Sequence, residues 1–105
     1  LGERARAYLH ANCAHCHQPG GPAPGGLDLR HVTTRAGMNV IDVRPSEGDL
    51  GLSDPWRVRP GVRSVSVLHL RMTRLDATRM PPLAHEAIDA EGSALIGAWI
   101  DGGAP

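Results

Sequence analysis

Cys13-Ala14-His15-Cys16-His17 contains both cysteines of the chain, three positions apart, with a histidine directly after the second. Two thiols one helical turn apart and an adjoining imidazole have the spacing needed to attach a haem covalently and to ligate its iron. Cys13 and Cys16 are each placed to add to one of the two vinyl groups, and His17 is then expected beneath the iron. Three other chemistries use paired cysteines. A thioredoxin-like redox pair shares C-x-x-C but is expected near a strand-helix-strand pattern, and none surrounds Cys13. A zinc site usually takes four Cys or His ligands and often a second paired cluster, whereas only isolated histidines follow here. A disulfide between positions 13 and 16 closes too small a loop to staple a fold.

Composition agrees with a fold assembled around a cofactor. The 105 residues make one domain, 1–105, and include no Phe, one Tyr (Tyr8) and two Trp (Trp56, Trp99). A chain of this size buries about 60 to 70% of its unfolded surface, yet the large side chains that normally fill a core are nearly absent. A flat, mostly apolar haem supplies the missing volume. Formal net charge is zero and every basic residue is Arg, so no global field draws nucleic acid or an anionic membrane. No apolar run approaches the length of a membrane span. Leu1 begins without the basic and apolar regions of a signal peptide. Because bacterial haem attachment of this kind takes place outside the cytoplasm, a periplasmic or otherwise extracytoplasmic location is expected, with a signal peptide or preceding domain removed before Leu1.

Along the chain, Ala5, Tyr8, Leu9 and Asn12 recur at helical spacing and predict a first helix over Glu3 to Cys13. Gln18 to Gly26 is rich in Pro and Gly and cannot continue it. This loop is expected to wrap the haem edge, with a carbonyl of Pro22 or Pro24 accepting the other ring N–H of His17. Leu27 to Pro60 reads as a long irregular middle segment. Val40, Ile41 and Val43 suggest short strands or extended loop there, and Arg44 to Pro55 is punctuated too densely for a regular element. Ser64 or Ser66 then caps a helix whose Val65, Leu68, Met72 and Leu75 share a face. A final helix opens near Asp89, carries Gly92, Leu95, Ile96, Trp99 and Ile100 as one stripe, and ends at Gly102-Gly103. Trp99 is expected to pack in the core on the first helix.

A haem iron held by one His has a position left to fill. Met80 is the favoured donor, because Pro81 and Pro82 stiffen the backbone just beyond its thioether. Met72 lies on a helical apolar face, where packing is the ordinary role of Met, and Met38 follows Gly37 in a stretch with nothing to hold it. His69 is the strongest rival and would give a bis-histidine site. His10, His31 and His85 read as surface or capping residues, and His15 should project away from the iron.

These motifs resemble those of a small monohaem cytochrome c with His and Met axial ligands. The likeness rests on Cys13, Cys16 and His17, on Met80-Pro81-Pro82-Leu83, and on the terminal helix with Ala98-Trp99-Ile100. The wording from Ala11 to Gly21, with Pro60-Gly61 and Ser66-Val67-Leu68, is also similar to haem domains appended to secreted bacterial proteins, including sugar dehydrogenases. The resemblance implies an all-α cytochrome c fold in which the first and last helices cross around one haem c, bound through thioethers to Cys13 and Cys16. The chain departs from small cytochromes in its long middle segment and in lacking the lysines many of them use for docking. The propionates of such a haem need donors, and Trp56, Arg57 and Arg59 are the candidates.

With His17 and Met80 both bound to iron, the expected function is one-electron transfer by a monomeric carrier rather than an enzyme. Its partner would be a redox protein or a fused dehydrogenase domain. The competing expectation is an open or displaceable sixth position serving a peroxidase or gas sensor, with His69 or Arg71 over the iron only if Met80 is displaced.

Overall fold

Two twelve-residue helices at the ends of the chain, α1 (Gly2–Cys13) and α3 (Ala90–Asp101), pack against each other and carry the centre of the molecule. A computed structural model describes residues 1–80 and 88–105. Among these, the regular structure is helical: a third, six-residue helix α2 (Val67–Met72) and single 3₁₀ turns at Ala36–Met38 and Arg63–Val65 complete it. No helix of the described residues is long and apolar enough to cross a membrane.

Spacing along α1 explains its docking. Ala5 and Leu9, one turn apart, are both fully buried, and Tyr8 and Cys13 border the same face. On α3 the stripe is Ile96, Trp99 and Ile100, all completely inaccessible. Trp99 joins Ala5 and Leu9 in the core and donates its indole N–H to the Pro105 carbonyl at 3.0 Å. The N-terminus of α3 is capped by Asp89, whose carboxylate accepts from the Gly92 amide at 2.9 Å and from the Tyr8 hydroxyl at 2.7 Å. The cap therefore also ties α1 to α3. Gly92 is required by this approach, since a Cβ there would stand 2.2 Å from the Tyr8 oxygen. At the other end, the Gly102, Gly103 and Ala104 amides close on the Ala98, Ile100 and Trp99 carbonyls.

The middle segment forms no regular strand among the described residues. Its extended stretches meet only in isolated parallel bridges, Ile41 with Val58 and Trp56 with Ser66. Val40 and Val58 nevertheless reach the core, as does Met38, which is fully buried at the end of a 3₁₀ turn. This corrects the expectation that nothing holds Met38: its carbonyl accepts from the Asp28 amide at 3.0 Å and its amide donates to Thr34 at 3.1 Å. α2 is also shorter than the spacing predicts. Leu75 lies beyond it and is 56% exposed, and Val65 precedes it. Ser66 stands at its start but does not cap it. The hydroxyl instead donates to the Val62 carbonyl and accepts from the Arg59 amide.

His69 points from α2 toward α3, 7% exposed, with Nε2 3.0 Å from the Ser93 carbonyl and Nδ1 buried without a partner among the described residues. Burial, helped by the nearby Arg63 charge, holds its pKa below the ordinary 6.5. The unfolded chain therefore takes up this proton at a higher pH than the folded one. Its contribution to stability is complete above about pH 6.5 and is lost as pH falls toward the depressed folded value. Denaturant midpoints should accordingly decline from pH 7.5 to 5.5, and His69→Gln should flatten that decline. An equal slope in both proteins would show that His69 is not held neutral.

Candidate functional site

α1 runs directly into the cysteine-histidine motif. The amides of Cys16 and His17 fold back onto the Cys13 carbonyl at 3.2 and 2.9 Å, so the turn continues the helix and brings both thiols and the imidazole to one side. The His17 carbonyl accepts from the Leu29 amide at 2.9 Å, fixing the motif to the start of the middle segment. Between these pieces and α2 lies a predominantly apolar cavity of about 400 Å³. Cys13, Cys16 and His17 line it together with Met80, Met72 and Arg57.

Both cysteines are free thiols. Burial, with Cys16 close by, pushes the Cys13 thiol up to about 11, so it is protonated at neutral pH. A redox dithiol works the other way, by lowering the pKa of its attacking sulfur. Nor do the described residues bring together three or more His, Cys, Asp or Glu side chains in a metal-binding group. His17 is held neutral chiefly by burial, with the charges of His15 and Arg57 acting in the same direction. Its Nδ1 is buried and has no hydrogen-bond partner among the described residues.

The bond expected from His17 to Pro22 or Pro24 is thus not formed. The loop is anchored through backbone instead, with the Ala23 amide donating to the Cys16 carbonyl at 3.2 Å and the Gly21 amide to Gln18 at 2.9 Å. Pro24 still borders the cavity. His15 does as well, although it is exposed to solvent, so it sits at the rim rather than turning fully away.

Of the three propionate candidates, Arg57 alone faces the cavity. It is 8% exposed, and its guanidinium donates to the Asn39 carbonyl and to Ser46 Oγ, each at 2.9 Å. No carboxylate pairs with it directly among the described residues, and burial lowers its pKa. Arg59 and Trp56 are drawn elsewhere. Arg59 pairs with Asp42 at 2.7 Å, and both it and Arg44 lie over the Trp56 ring, 4.7 and 3.6 Å from its centroid. A regular extended chain would put Arg57 and Arg59, two positions apart, on one side, so their separation reflects the bend at Arg57.

Met72 and Met80 both line the cavity, whereas Met38 is in the core and His69 faces α3. Pro81, Pro82 and His85 lie outside the described residues. Sequence reasoning gave Met72 only a packing role and Arg71 only a conditional one. On α2, Val67, Leu68, Arg71 and Met72 occupy one face and all reach the cavity. The i, i+4 spacing of Val67 with Arg71 and Leu68 with Met72 was the available signal.

Comparison with known proteins returned no matching family model, no matching curated protein and no matching solved structure.

Proposed function

We propose that the chain holds one haem c, attached through Cys13 and Cys16, and carries single electrons. The observation that supports this is the convergence of both thiols, an imidazole with an unsatisfied buried nitrogen, and two thioethers on one apolar cavity. These residues fit the group. Cys13 and Cys16 would hold the haem by adding S–H across its two vinyl groups, sulfur to one carbon and hydrogen to the other, with no net oxidation. His17, whose pKa burial lowers, would hold the iron through a ring-nitrogen lone pair. Met80, which lines the same cavity, would supply a soft thioether that favours ferrous iron. Arg57 brings a buried cation with spare N–H donors for a propionate. The apolar lining excludes water and limits reorganisation around the centre. A haem held there supplies reversible exchange between ferric and ferrous iron.

On this reading the helical arrangement is a cytochrome c fold with α1 and α3 as its crossed pair, acting outside the cytoplasm toward a redox protein or a fused dehydrogenase domain. The test begins with protein matured by a c-type assembly system. Its pigment should stay with the polypeptide in acidified butanone, and the ferric form should show the sulfur-to-iron charge-transfer band. Met80→Ala should abolish that band. A band that survives assigns the sulfur to Met72, and rapid carbon monoxide binding by the unmutated protein favours an open site instead.

A further inference from the structure

We propose that Arg71 is a positioning residue for the sixth ligand, a latch that holds the Met80 segment against the cavity. The inference rests on the haem reading above and concerns how that site is regulated. Its basis is a bridge between three parts of the chain. From α2, the Arg71 guanidinium donates through Nη1 to the Thr78 carbonyl at 2.9 Å and through Nη2 to the Glu47 carbonyl at 2.8 Å. Its own carbonyl accepts from the Met80 amide at 3.0 Å. One residue thus engages the backbone at Met80 and two positions before it, while also gripping the far loop.

Each partner is arranged for this grip. The turn leading to Met80 is closed by Asp76, whose carboxylate accepts from the Thr78 amide at 2.9 Å and from the Thr78 hydroxyl, and whose carbonyl accepts from the Arg79 amide at 3.1 Å. Beside Glu47, Gly48 adopts φ +102, a conformation that side chains oppose, and a Cβ there would lie 3.5 Å from Arg71 Nη2. The loop therefore turns its Glu47 carbonyl toward the guanidinium at a position suited to glycine. Met80 itself is 37% exposed. Apolar burial alone does not secure its side chain, so the charged hydrogen bonds to its backbone segment carry the restraint. A planar fork spans two carbonyls on separate segments, which a single ammonium does not.

Regulation follows from the same geometry. A partner or solvent condition that draws the 46–48 loop away from Arg71 would loosen the Met80 segment and let external ligands compete for its position. The experiment compares fully matured unmutated chain with Arg71→Ala and Arg71→Lys, at matched covalent pigment content and far-ultraviolet circular dichroism. The readouts are the ferric charge-transfer band, the pH at which it bleaches, and carbon monoxide binding to the ferrous form. Losing the charged bonds should favour thioether displacement about tenfold or more in Arg71→Ala. Bleaching should then occur at lower pH and carbon monoxide should bind more readily. Arg71→Lys should fall between the two. An unchanged band, bleaching pH and carbon monoxide affinity in Arg71→Ala overturns the latch. Should that variant fail to fold, unchanged values in Arg71→Lys overturn it equally. An unmutated protein without the band refutes the Met80 ligand assignment itself, which separates that failure from failure of the latch.

Discussion

Trp99→Ala is expected to destabilise the protein by about 3–5 kcal/mol, a large fraction of the roughly 5–15 kcal/mol that holds a domain of this size together. The indole is completely buried where α3 meets α1, in a core built without a single Phe. Its neighbours Ala5, Leu9, Ile96 and Ile100 are too small to collapse into the space it leaves. The substitution also deprives the Pro105 carbonyl of its N–H donor. Trp99→Phe should retain most of the packing and lose about 1–2 kcal/mol, the hydrogen bond included. Thermal or denaturant unfolding of the matured protein measures both. A midpoint for Trp99→Ala within a few degrees of the unmutated protein would contradict the packing described, because 3–5 kcal/mol corresponds to a shift on the order of 20 °C.

The second large effect is chemical. On the haem reading, replacing Cys13 and Cys16 together by Ala should convert a pigment retained by the polypeptide into one fully extractable in acidified butanone, or into a colourless product. Either thiol alone should keep the pigment attached by one bond, and the haemochrome spectrum of each single variant should shift toward that of a haem with one unreacted vinyl group. The reasoning is steric and positional. Cys13 ends α1 and Cys16 closes the following turn, so the two sulfurs reach the same cavity from adjacent turns. Full retention of pigment in the double variant would show that neither sulfur is bonded to it.

The ends of the molecule were readable because their signals are local and redundant. α3 has a 3.6-residue stripe, an Asp cap and a pair of terminal glycines, and every one of these acts within the element itself. The spacing of Ala5, Tyr8 and Leu9 did the same for α1. The middle segment was opaque because its order comes from contacts distant in sequence. Met38 looks unsupported until its burial in the same core as Val40 and Val58, and its backbone bonds to Asp28 and Thr34, are seen. Trp56, Arg57 and Arg59 look like one cluster of donors until a bend at Arg57 turns that side chain inward and leaves the other two with Arg44 and Asp42. α2 misled in the opposite sense. A six-residue helix carries too few turns for a long stripe, so the sequence did not show that Met72 and Arg71 border the cavity while His69 turns to α3.

The unequal depth of the two indoles has an optical consequence. Trp99 is sealed in the core, whereas Trp56 is half-buried beneath the Arg44 guanidinium on the irregular segment. A haem in the cavity quenches both indoles at these dimensions, so each regains emission as its own zone of the molecule moves away from it. Trp56→Phe leaves one indole, whose gain of emission under selective excitation follows the parting of α1 and α3, and that signal distinguishes loosening of the loop from loss of the helical frame.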